Sequence, residues 1–285
     1  MQIFIALKAG ITRSTGSWKG IVIIWFMSLV MVSLIALPMK TSLQNALGGS
    51  MITEKLHEGF NIDVFADLAS GFTSLASYFS KGLFMLMLAG FLINSFLSGG
   101  LFFNLSSDNQ RFSTNEFFRA SSKYFWSFLV ISLAISLIII MSAILIIVIP
   151  VLIVSHGKGV SDYIVFGSGV ILTSAFLFVL IIILLASDYA RAWQIIQTKN
   201  LCFKAIGFGF NQTFRTFFQS YPMMLILAII QVMYLWIVLS IISGLKPTTF
   251  SGIVLLFLFS QLLFIIRIFL KAWRYGSVTS MMVTS

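Results

Sequence analysis

The chain has 285 residues, of which 59% are hydrophobic and only 9% charged, with a net charge of +10 and a mean hydropathy of +1.04. A soluble domain carries about 25% charged residues and barrel strands alternate over about ten residues, so continuous apolar runs of about twenty residues or more exclude both. The basic residues are not gathered in one soluble domain and no nucleic-acid motif accompanies them, which excludes nucleic acid as the partner.

The composition specifies an all-α, polytopic transmembrane helix bundle, one integral membrane domain over residues 1–285 with six spans. Residues 1–20 hold Lys8, Arg13 and Lys19 and no acid, and Ile3, Phe4, Leu7 and Ile11 recur at helical spacing. That pattern predicts a short helix on the membrane surface. The first span is 21–38, with Pro38 as its stop. It is too long for a signal core, and no small-x-small cleavage site follows.

Residues 39–81 are the only long hydrophilic stretch and hold Glu54, Glu58, Asp63 and Asp67, half of the acids. They predict short amphipathic helices lying across the outer face of the bundle. The second span is 82–102, with Gly99-Gly100 allowing close packing near its inner end. Ser113-Thr114-Asn115-Glu116 fits a capping box. The helix it starts runs into the third span, 124–154, which must tilt, project or kink, with Pro150 as the kink site. Residues 155–159 form an outer turn, and the fourth span is 163–186. Asn200 caps an aromatic, basic helix bearing Phe203, Lys204, Phe208, Phe214 and Arg215. Pro222 sits in the first turn of the fifth span, 222–243, and Lys246-Pro247 makes the last outer turn before the sixth, 252–270.

Basic residues set the orientation. With both termini cytoplasmic, thirteen of them fall on inner segments and five (Lys40, Lys55, Lys81, Lys158 and Lys246) on outer ones, and every arginine is inner. A threefold repeat is also visible. Aromatic, basic lead-ins at 3–18, 117–126 and 203–218 each precede a helical hairpin, and Phe118-Arg119-Ala120 matches Phe203-Lys204-Ala205.

Chemistry-bearing residues are few. Aligning Ala190-Arg191-Ala192-Trp193 with Leu270-Lys271-Ala272-Trp273 puts Asp188 and Arg267 at one depth, so Asp188, Arg191 and Arg267 form the expected charge pair or gate. Asn94, Gln231 and Gln261 lie mid-span and form a candidate polar layer. Glu54-x-x-His57 has metal-ligand spacing, but a bundle di-metal site needs two such motifs and more carboxylates, so no metal and no cofactor are expected. Gly167-Ser168-Gly169 is read as helix packing, because no base with an orienting acid accompanies the serine. The single cysteine, Cys202, excludes an intrachain disulfide.

Gly99-Gly100-Leu101, Phe117-Phe118-Arg119 with Tyr124-Phe125-Trp126, Asp188-Tyr189-Ala190-Arg191 and Arg267 together resemble a group of uncharacterised six-span bacterial membrane proteins. They are similar, more loosely, to the membrane domain attached to some glycerophosphodiester phosphodiesterases. The resemblance implies the bacterial inner membrane and supplies neither substrate nor catalytic residues. The functional expectation is a non-enzymatic transport or lipid-handling component that meets anionic headgroups through its inner basic lead-ins. The alternative is a scaffold subunit that docks a protein partner through 39–81.

Overall fold

Backbone that crosses lipid has no water to bond, so each apolar run must satisfy its own N–H and C=O groups, and a helix does so. The computed structural model describes residues 2–47, 69–106, 112–155, 162–197, 201–245 and 249–284, and no strand occurs among them. The helices are α1 (Gln2–Gly16), α2 (Trp18–Leu47), α3 (Ala69–Ser106), α4 (Thr114–Ala143), α5 (Ile149–Ser155), α6 (Asp162–Gln197), α7 (Cys202–Arg215), α8 (Phe217–Gly244) and α9 (Phe250–Thr284). A π-helical turn, Ile144–Val148, joins α4 to α5. Five stretches are long and apolar enough to cross a membrane: Gly82–Ser106, Thr114–Ser155, Phe166–Gln197, Phe217–Ile242 and Phe250–Val283. α1 and the start of α2, joined at a 66° bend, pass the same test as a pair, so the described residues hold five such stretches, or six with the bent pair counted as one. The chain is thus an all-α, multi-pass membrane helix bundle.

Several boundaries differ from those expected. The fourth and sixth spans do not stop at 186 and 270, because their helices run on to Gln197 and Thr284. Most of the residues added are buried as far as Ile195 and Met281, while the last turns, at Ile196 and Val283, are exposed. Pro38 does not stop α2, and α8 begins five residues before Pro222, at Phe217. Leaving the helix inside lipid would expose several backbone groups, whereas a proline forfeits one hydrogen bond. Near Pro150, the expected kink site, the helix carries a π-helical turn, Ile144–Val148, which holds the carbonyl one turn before the proline ring. Ser113 is the N-cap of α4 with extended backbone, but its side chain makes no capping bond. The ends of 39–81 continue α2 and α3. The short helices expected within that stretch, Glu54, His57, His156, Asn200 and the turn at Lys246-Pro247 lie outside the described residues.

The chain divides into two compact units, Met1–Val22 with Ser95–Ser285, and Ile23–Asn94. In the first unit burial is confined to one end of each long helix. It begins at Ser95 in α3, ends at Ile135 in α4, begins at Ile183 in α6, ends at Leu227 in α8 and begins at Ile268 in α9. The remaining lengths expose large apolar side chains such as Leu137, Ile153, Phe166 and Leu255, a surface suited to lipid and unsuited to water.

Glycine makes the packed end. A methyl on Gly10 of α1 would strike the Ser277 backbone on α9, one on Gly209 of α7 would strike the Ala186 carbonyl on α6, and one on Gly100 of α3 would lie 2.7 Å from the Phe117 carbonyl on α4. Each lead-in of the expected repeat therefore presses on the packed end of a span through a missing side chain. Gly167 and Gly169 do not serve packing as anticipated, since a methyl on either would meet open space. Trp273 donates its indole N–H to the Leu7 carbonyl at 3.0 Å, tying α9 to α1. Trp193 of α6 stacks on Phe208 of α7 with centroids 5.5 Å apart. In α7 the buried face is Ala205, Gly209, Gln212 and Thr213, while Phe203 and Phe214 point outward. This is the arrangement of a helix whose aromatic face meets lipid. Cys202, half-buried, begins this helix.

Candidate functional site

The packed end holds the charges. Asp188 of α6 is 1% exposed. Its Oδ2 lies 2.9 Å from Nε of Arg274 on α9, and its Oδ1 lies 3.6 Å from Nη1 of Arg191, one turn along α6. Arg191 also donates from Nη2 to the Ser132 hydroxyl of α4 at 3.0 Å and from Nη1 to the Tyr275 hydroxyl at 3.4 Å. Four elements thereby converge on Tyr275. The Arg274 guanidinium lies 5.2 Å and the Lys271 ammonium 5.7 Å from its ring centroid, both within cation–π range. The opposite support is Phe102 of α3, stacked on Tyr275 at 4.2 Å and met edge-on by Phe128 of α4 at 5.8 Å.

The second feature is a chain of hydroxyls beside the charges. Tyr189, fully buried, shares a 2.5 Å hydrogen bond with Ser220 of α8. Ser220 shares another, 2.8 Å long, with Thr216, and Thr216 donates to the Gln212 carbonyl at 2.8 Å. A polar line therefore runs from α6 to the junction of α7 and α8. An apolar cluster of Ala6, Leu7, Leu185, Tyr189, Met223, Met224, Leu227, Val278 and Met281 borders it.

The expected pairing of Asp188 with Arg267 is corrected. Asp188 meets Arg274, seven residues further on, while Arg267 is exposed on α9. Seven residues are close to two helical turns, about 10 Å of rise, so the slip leaves Arg267 and Arg274 near one face at different depths. The tryptophan alignment misled because α9 runs past 270. The register that the structure uses sets Asp188-Tyr189-Ala190 beside Arg274-Tyr275-Gly276, with both tyrosines buried and both small residues against a lead-in helix. Arg191 belongs to the site as anticipated. Of the expected polar layer, Gln231 and Gln261 are half-buried on α8 and α9, and Asn94 is exposed in the other unit.

Sequence reasoning missed Lys271, Arg274, Tyr275 and Ser132. The signal was present in the spacing: Lys271, Arg274 and Tyr275, at i, i+3 and i+4, share one helix face. Three cations surround one carboxylate, an arrangement suited to holding an anion rather than to passing protons. No group of three or more metal-ligating side chains occurs among the described residues. Comparison with protein-family models, with curated proteins and with solved structures finds no match for the chain.

Proposed function

We propose that the chain is a non-enzymatic transport or lipid-handling component of the bacterial inner membrane, with both termini and the cation-rich cluster on the cytoplasmic side. The observation that carries this reading is Asp188, buried with Arg191 and Arg274 at the packed end of an otherwise apolar bundle. Ionisable groups inside membrane helices are costly and mark ligand or ion paths by default. A purely structural clamp would be served as well by apolar side chains of like volume. The orientation rests on the thirteen-to-five distribution of basic residues, and the bacterial setting on the resemblance drawn from the motifs above. Acids are scarce along the spans, which disfavours proton-coupled pumping.

The test is purification from native membranes followed by native mass spectrometry. A monomer or homo-oligomer carrying lipid supports the reading. A fixed stoichiometry with a second protein and no bound lipid would replace it with the scaffold alternative, docked through 39–81.

A further inference from the structure

Among the described residues, the cluster holds more cations than carboxylates. Asp188 supplies one carboxylate, against the two guanidinium groups of Arg191 and Arg274 and the ammonium of Lys271. Like charges this close, in surroundings of low dielectric, repel far more than they would in water. A second observation points the same way. Arg191 Nε is buried and has no hydrogen-bond partner, although both of its terminal nitrogens are engaged. A buried donor without an acceptor is destabilising, and a charged one more so. The arginine side chains keep 11% and 15% of their exposure, so the cluster is not sealed.

A phosphate-type oxyanion answers each of these points. It brings negative charge to a cation-rich cluster, and its several oxygens can accept from a guanidinium fork and an ammonium together. The Tyr275 and Ser132 hydroxyls can rotate to donate as well. We propose that Arg191, Lys271 and Arg274, gathered around Tyr275, bind a phosphate group with at least three terminal oxygens, the chemistry shared by a phosphatidic acid headgroup and free inorganic phosphate. This rests on the lipid-handling reading and names the ligand chemistry of that site.

The test uses the purified full chain in phosphatidylcholine nanodiscs in three arms: no addition, inorganic phosphate in the buffer, and phosphatidic acid in the bilayer. The readouts are melting temperature and lipid retention by native mass spectrometry. Lys271→Gln removes one positive charge and leaves both ion pairs of Asp188 in place. Lys271→Arg keeps the charge, and Arg267→Gln controls for surface electrostatics. The wild-type protein and Arg267→Gln should melt higher with at least one anion. Lys271→Gln should lose affinity about tenfold or more, the usual scale for one charged hydrogen bond, and Lys271→Arg should retain the response. Stabilisation by phosphatidic acid alone identifies a headgroup site, and stabilisation by both identifies a phosphate site. A wild-type protein indifferent to both anions overturns the proposal, as does Lys271→Gln responding like wild type. The wild-type arms need no variant, so a poorly folding substitution leaves the proposal open to refutation. Bound phosphatidylcholine without any anion response overturns this inference alone. A stoichiometric protein partner with no lipid overturns the broader reading instead.

Discussion

At the scale of single residues, the structure turns on one carboxylate. Asp188 is 1% exposed and bonded by two arginines, so its removal leaves buried cations facing one another. Deleting one side of a buried pair typically costs about 3–5 kcal/mol. Asp188→Asn should therefore lower the melting temperature in detergent markedly, and adding Arg274→Gln to it should cost little more. Strictly additive losses in that double-mutant cycle would show that the pair is not coupled. The same cycle with Arg267→Gln should be additive, because Arg267 is exposed and seven residues away along the helix. Asp188 and Arg191 were legible in the sequence as the charged exceptions at the end of an apolar run. Arg274 was not, because periodicity fixes a helix face but leaves depth uncertain by whole turns.

At the scale of the helix, contacts through missing side chains decide which elements meet. Two glycines of α7 make a controlled comparison. A methyl on Gly209 would strike the Ala186 carbonyl, whereas one on Gly207 would meet nothing within 4 Å. Gly207→Ala should hold or raise stability, since alanine is favoured over glycine in a helix by about 0.5–1 kcal/mol. Gly209→Ala should lower it, read as a fall in melting temperature. Equal responses at the two positions would deny that α7 is held by close approach to α6. Gly99-Gly100 was legible as such a contact. Gly10 and Gly209 were not singled out, because a lone glycine in a helical pattern has no fixed meaning until its neighbour is known. Helix ends were the least legible feature. Pro38 and Pro222 read as boundaries by the rules of water-solvated chains, and the structure carries helix through both. In lipid the alternative to a proline-weakened helix is unbonded backbone, which is worse.

At the scale of the whole molecule, composition alone was enough for an all-α bundle, since no other architecture satisfies backbone polar groups across such long apolar runs. At the first crossing α2 runs for 30 residues, over the whole of the span expected at 21–38, and α1 joins it at a 66° bend. The packed ends of α3, α4, α6, α8 and α9 fall alternately at the end and the start of successive spans, as antiparallel crossings with one shared face require. On the proposed reading, the thirteen-to-five distribution of basic residues turns that face to the cytoplasm. The most direct measurement is accessibility of single cysteines to a membrane-impermeant maleimide in intact cells, on a Cys202→Ser background. His57→Cys and Lys158→Cys should label without permeabilisation, and Lys8→Cys and Lys199→Cys only after it. Labelling of residue 57 only after permeabilisation, or of residue 8 or 199 before it, would contradict a six-span chain whose cation-rich end faces the cytoplasm.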